Sequence, residues 1–482
     1  MLFNSIEFLL FLPIVFLLYW FVFRERRWQN LLIVTASYVF YGWWDWRFLI
    51  LIAFTSFCSY WSGLLIGHYE KRRKAQRIVS AINIVLNLAI LGIFKYFNFF
   101  AENFETLFLA LGYQIDRITL DIILPVGISF YTFQALSYTI DVYRKQIQPT
   151  RDIVEFFAYI SFFPQLVAGP IERATNLLPQ FQQKRNFDYA RAVDGLRQML
   201  WGFMKKLMIA DNCATVVNAH WSNYEHLSGL SLLVIGILFT FQIYCDFSGY
   251  SDIAIGCARL FGINLKRNFN VPYFSRNIPE FWRRWHISLM TWFRDYLYFP
   301  LGGSRCAKWK VIRNILIVWG VSGFWHGANW TFICWGLFHG IIISLYYLFG
   351  VNTKYQNVVA AGRNFPNIKE VCQMGMTFLL VVIGLIIFRS ESITQAFDYL
   401  QCMVTNDILP LTILDSYGKL YLGFCLLLMA VEWMQREKEH GLQFPDTPLF
   451  RLKRIRISIY LLIILLIITF TGKSQAFIYF QF

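Results

Sequence analysis

The chain has 482 residues, of which 57% are hydrophobic, 19% aromatic and only 15% charged, with a formal net charge of +15. Soluble domains carry about a quarter charged residues, and no water-soluble core absorbs this much apolar material at a mean hydropathy of +0.46. These values exclude a soluble enzyme and leave an all-helical, polytopic membrane protein. At roughly 20 residues per span it has room for about 11 to 13 transmembrane or re-entrant helices.

The first apolar run starts near Ile6, with no basic residue before it and no small-residue cleavage site after it, so it is expected to remain as an anchor. Arg24, Arg26 and Arg27 follow it, which places the N-terminus outside and this cluster in the cytoplasm. Apolar segments then fall near 47–66, 79–98 and 121–140, with Lys71 to Lys74 on the cytoplasmic side and Trp43, Trp44 and Trp46 suited to an interfacial belt. Because the basic residues cluster at helix ends, membrane topology accounts for the positive charge better than a nucleic-acid partner does. Residues 141–215 and 246–310 carry charges, prolines and glycines, yet apolar segments at 229–245 and 311–349 flank them. Irregular backbone at membrane depth requires burial in protein or a wet cavity, so the middle of the chain is expected to build a recessed chamber.

Further segments lie near 375–389, 418–433 and 457–471, while 351–372 and 390–417 read as loops outside the bilayer or lying on it. Arg436 to Lys438 and Arg451 to Arg456 bracket a cytoplasmic loop, so the last helix runs outward and leaves Ser474 to Phe482 on the outer side. Residues 1–482 thus read as one membrane domain, with N-terminal helices (1–140), a catalytic core (141–349) and C-terminal helices (350–482). The nine cysteines lack paired or metal-like spacing and read as packing residues; neither a metal site nor a bound cofactor is expected.

Polar residues inside apolar helices are the functional signal, because they are costly there unless they face a cavity or a partner. In Gly320 to Trp330, a helical reading puts Ser322, His326 and Asn329 on one face, with Gly323 and Gly327 clearing space beside them. His326 is the candidate general base; the alternative is a buried histidine that only bonds a neighbouring helix. In Phe281 to Tyr296, one helix would carry an apolar stripe of Trp285, Leu289, Trp292, Tyr296 and Phe299. A polar stripe would hold Arg284, Ser288, Thr291 and Asp295, and a further face Arg283, His286 and Arg294. Arg283, Arg284 and Arg294 could grip phosphates if they face the cytoplasm; otherwise they meet lipid head groups. Ser161 to Arg173 resembles a re-entrant turn, and Asp246 and Asp252 border small residues where a carboxylate could orient a histidine or an acceptor hydroxyl; each stretch reads equally well as a structural turn with a capping Asp. His339, thirteen residues after His326, falls on the opposite side of a helix and is expected to be structural.

These stretches, with the opening Met1 to Ser5 and the run Ala36 to Tyr41, resemble the membrane-bound O-acyltransferase (MBOAT) family, and in particular its bacterial branch that modifies extracellular polysaccharides. The resemblance implies a helical bundle in which a cytoplasmic funnel and an external cavity meet at a catalytic histidine, which maps onto His326. A second histidine of that branch maps onto His286, with either an orienting role or a proton-transfer role. The implied donor is acetyl-coenzyme A or another cytosolic thioester, and the implied acceptor is an extracellular or periplasmic polysaccharide such as alginate. An outer-side esterase-like partner protein would complete the reaction at the cell (inner or plasma) membrane. D-alanyl transfer and peptidoglycan-directed transfer are the alternatives within the family. In related systems a C-terminal tyrosine motif takes the acyl group before export, which makes Tyr479 a candidate relay. A phenol with a pKa of about 10 needs a base beside it, and His326 could supply that base; the alternative is an aromatic interfacial anchor. Two readings from other classes are a proton-coupled transporter, which the absence of a visible internal repeat disfavours, and a non-catalytic scaffold for glycan export.

Overall fold

The computed structural model describes residues 1–115, 119–120, 123–167, 169–411, 413, 416–473 and 475–478. Among these residues every regular element is a helix. Two compact units are present, one formed by residues 1–195 with 257–266 and the other by 196–256 with 267–482.

The first unit contains α1 (Ile6–Leu17), α2 (Arg26–Gly42), α3 (Arg47–His68), α4 (Arg73–Leu91), α5 (Phe97–Ala110), α6 (Ile128–Tyr143), α7 (Ile153–Ser161), α8 (Phe163–Leu166) and α9 (Ala174–Gln182). Helix α4 is amphipathic in the inverse sense of a soluble bundle. In α4 the residues Gln76, Ser80, Asn83 and Asn87 form the buried face, whereas Ile78, Ile82 and Val85 are exposed. The buried amide of Asn83 donates to Thr139 Oγ1 of α6 at 2.6 Å, and Ser59 of α3 sits beside it. Without a hydrophobic force between helices in lipid, such polar contacts hold neighbouring helices together. Among the described residues of the segment expected near 121–140, the helix begins at Ile128. Gly127, at φ 76°, turns the chain so close to the Leu166 carbonyl that a Cβ would lie 2.6 Å from it. The break expected in 161–173 is present as a kink at Phe162 between α7 and α8. There the fully buried Glu172 accepts from the Lys266 amide and the Asn176 side chain. Ala168 in this stretch lies outside the described residues.

The helices α10 (Tyr189–Phe203) and α12 (Gly229–Leu260) have residues in both units, with α11 (Asp211–His220) between them. The second unit continues with α13 (Ile278–Arg284), α14 (Ile287–Phe293), α15 (Lys308–His326), α16 (Trp330–Leu348), α17 (Ile368–Arg389), α18 (Ile393–Thr405), α19 (Ser416–Met434), α20 (Pro448–Arg451) and α21 (Lys453–Phe470). A π-helical stretch, Met204–Ala210, joins α10 to α11. Five helical segments among the described residues are long and apolar enough to cross a bilayer: α3, the run Arg73–Ala110, α12, α16 and α17. The chain is a multi-pass membrane protein, and the apolar run Ile6–Val22 is shorter than these five.

Three local expectations are corrected. The stretch 311–349 is a hairpin of α15 and α16, because the chain turns at Gly327 to Asn329. Asn329 is therefore not on the helical face of Ser322 and His326. It caps α16, accepting from the Thr331 amide and donating to the Glu391 carbonyl. The stretch 281–296 is not one helix, since His286 adopts a left-handed conformation (φ 46°) and separates α13 from α14. The third is 390–417, where α18 forms behind a Ser392 cap on the Gln395 amide.

Candidate active site

The α15–α16 hairpin is tight because it is lined with glycine. A Cβ on Gly323 would collide with the Phe332 carbonyl, and one on Gly336 with the Trp319 carbonyl. Close approach of the two backbones seats His326, at the last position of α15, among aromatic rings. Its imidazole lies 5.0 Å from Trp325, 5.0 Å from Trp335 and 5.6 Å from Phe388, centroid to centroid, and is 4% exposed. Ser322 lies one turn earlier on α15 and is buried.

His326 borders a small cavity that it shares with Ile243, Trp282, Trp285, Trp335 and His339. The cavity volume is about 20 Å³, room for about one water molecule. The presence of His339 here corrects its expected place on the far side of the helix. The helical phase across thirteen residues fails because the chain reverses after His326. Gly384 of α17 leaves the room that His339 occupies: a Cβ there would lie 2.8 Å from His339 Nε2.

His286 lies next to this cavity rather than in its wall. The Trp325 ring meets both histidines, at 6.2 Å from His286 and 5.0 Å from His326. Asn268 determines the conformation of this segment. Its side-chain oxygen faces His286 Nδ1 at 3.2 Å and accepts from Ser288 Oγ at 2.9 Å, while its backbone carbonyl takes the Ile287 amide. Nothing in the sequence singled out Asn268, because it acts as a cap supplied from eighteen residues away.

The three arginines are placed apart from the cavity. Arg283 is exposed and donates to the carbonyls of Asn352 and Tyr355, at 2.9 and 2.6 Å. Arg284 is buried and paired with Glu280 at 3.0 Å, and Arg294 is exposed and paired with Asp295 at 2.7 Å. Asp246 is committed to Lys206 at 2.8 Å and to the Ile478 amide at 2.8 Å, and Asp252 pairs with Lys205 at 2.5 Å. Tyr479 and residues 480–482 lie outside the described residues, as does Ser474.

Comparison with known proteins bears on what such a site does. The model of the membrane-bound O-acyltransferase family matches residues 144–388. The probable alginate O-acetylase AlgI of Pseudomonas aeruginosa is 41% identical over 404 residues, 84% of this chain and 75% of that protein. The corresponding protein of Azotobacter vinelandii is 39% identical over 431 residues, 89% of this chain and 83% of its own. A peptidoglycan O-acetyltransferase of Helicobacter pylori is 31% identical over 532 aligned positions, which take in 100% of this chain and 98% of that one.

Proposed function

This chain belongs to the membrane-bound O-acyltransferase family, and from that premise we propose how its second unit carries out the transfer. The protein is an O-acyltransferase of polysaccharide O-acetylation. Its acceptor is an extracellular or periplasmic glycan such as alginate, its donor acetyl-coenzyme A or an acyl-carrier thioester from the cytosol, and its location the inner or plasma membrane. An esterase-like protein on the outer side completes delivery to the sugar.

His326 is the general base. The observation that carries this role is its position at the end of α15, bordering a cavity that Trp335 and Phe388 also line, with the Trp325 ring packed against the imidazole. In such an enclosed place a neutral imidazole takes a proton from an attacking hydroxyl, that oxygen bonds to the thioester carbonyl carbon, and the carbon–sulfur bond breaks. The proton held on His326 then leaves with the thiol. The first acceptor is the phenol of Tyr479, from which the acetyl group passes onward. Ser322 and His286 orient groups around the base, and Arg283 and Arg294, the exposed arginines, meet the phosphates of the donor.

Two measurements test this reading. His326→Ala in folded protein should abolish acetyl transfer to the polymer; unchanged ester content would remove His326 from the mechanism. Mass spectrometry after incubation with labelled acetyl-coenzyme A should find label on Tyr479 that disappears with His326→Ala, and an unlabelled protein would exclude a stable covalent relay.

A further inference from the structure

The segment that follows α21 does not project away from the second unit. Asn212 donates to the Phe470 carbonyl at 2.7 Å, and Gly472 passes so close that a Cβ would lie 2.5 Å from Asn212 Oδ1. Phe477 and Ile478 are then 2% and 1% exposed, and the Phe477 ring packs 4.9 Å from Tyr250 and 6.0 Å from Phe247. The receiving surface comprises α12 and the π-helical stretch Met204–Ala210, a rare geometry that occurs often at functional sites.

That stretch buries Lys206. An ammonium has three donors, and Lys206 Nζ faces three oxygens: Asp246 Oδ1 at 2.8 Å, Asp211 Oδ1 at 2.9 Å and the Gln475 carbonyl at 3.1 Å. The other oxygen of Asp246 accepts the Ile478 amide at 2.8 Å. The cluster therefore reads the main chain at two points three residues apart, one a carbonyl and one an amide. A buried charge that loses a partner costs far more than the same group satisfied, so the pair is complementary to the docked segment. A chain of ring contacts links the slot to the candidate base: Phe477 to Phe247 (6.0 Å), Phe247 to His286 (4.7 Å), His286 to Trp325 (6.2 Å) and Trp325 to His326 (5.0 Å).

We infer that Lys206 and Asp246 form a clamp that holds residues 475–478 in this slot, and that acyl transfer depends on the segment being held there. They are positioning residues, acting through the segment rather than on the thioester. The inference rests on the reading that this end of the chain receives the acyl group.

The test compares wild type, Lys206→Met, Lys206→Arg, Asp246→Ala and a deletion of residues 475–482, reading hydrogen exchange in residues 471–478 alongside transfer kinetics with acetyl-coenzyme A. Lys206→Met and Asp246→Ala should raise exchange in the segment and lower kcat by about tenfold or more, with the donor KM unchanged, as expected when a charge-assisted hydrogen bond no longer holds a group in place. Lys206→Arg should restore both readouts in part. The deletion keeps the Lys206–Asp246 and Lys206–Asp211 pairs and should itself remove transfer, with a lower thermal midpoint because both charges lose a main-chain partner and the burial of Phe477 and Ile478 is lost. Full transfer by the deletion protein overturns the inference, and so does a kcat loss in Lys206→Met with the segment still protected. If wild type itself transfers nothing from acetyl-coenzyme A, the donor reading fails instead, and exchange alone then decides whether the clamp exists.

Discussion

Single glycines decide how closely the site is built. Gly384→Ala should drive its methyl against His339 Nε2 and destabilise the protein by about 1–3 kcal/mol, the usual cost of overpacking. Gly375 on the same helix α17 has open space around it, so Gly375→Ala serves as the control and should be neutral or stabilise by up to about 1 kcal/mol. Thermal unfolding in detergent reads both, and equal midpoints would mean that His339 moves aside freely. His286 makes a second case, since its backbone sits at φ 46°. Glycine tolerates this conformation where alanine does not, so His286→Gly should be more stable than His286→Ala by about 1 kcal/mol. The reverse order would mean that the left-handed turn relaxes once the imidazole is gone. His326 was legible from sequence because its signal is local: a histidine between a tryptophan and a glycine inside an apolar run. His339 was not, because its place beside His326 depends on a chain reversal that a helical wheel cannot represent. Asp246 was legible as a buried carboxylate, but its partners Lys206 and Ile478 are forty and 232 residues away in the chain.

At the level of elements, the α15–α16 hairpin depends on two backbones meeting at Gly323 and Gly336. Gly336→Ala would place a methyl on the Trp319 carbonyl and next to the Gly323 Cα. It should therefore spread the hairpin, lower the thermal midpoint and reduce transfer, because Trp319, Trp335 and His339 pack across the same contact. Retention of wild-type midpoint and rate would show that the helices can separate without consequence. Most apolar segments were visible as runs of the right length. Their breaks were less so: apolar periodicity continues smoothly through Trp285 and His286, and the residue that caps the start of α14 is Asn268, outside the run. Helix α18 was missed because its half-polar composition suits a surface loop as well as an amphipathic helix.

For the whole molecule, the placing of polar and apolar faces follows the solvent. Exposed Ile, Leu and Val cover α1, α4 and α21, while Gln76, Ser80, Asn83 and Asn87 of α4 face inward, the distribution expected where lipid surrounds the protein. Sidedness can be checked at one residue, since Cys372 is the exposed cysteine among nine. It lies near the start of α17, after residues 359–363, whose carbonyls bind Arg436. The positive-inside pattern places Arg436 in the cytoplasm, so a membrane-impermeant maleimide should label Cys372 only after cells are permeabilised; labelling of intact cells would invert the topology. The same loop has a further consequence. Between residues 352 and 363 its carbonyls are gathered by the guanidinium groups of Arg276, Arg283, Arg284 and Arg436. Orientation in the bilayer depends only on how many positive charges remain inside, whereas gathering several carbonyls needs the planar fork that lysine lacks. Insertion and architecture are thus written in the same residues but in different properties of them, and a set of arginine-to-lysine exchanges would leave the first intact while dissolving the second.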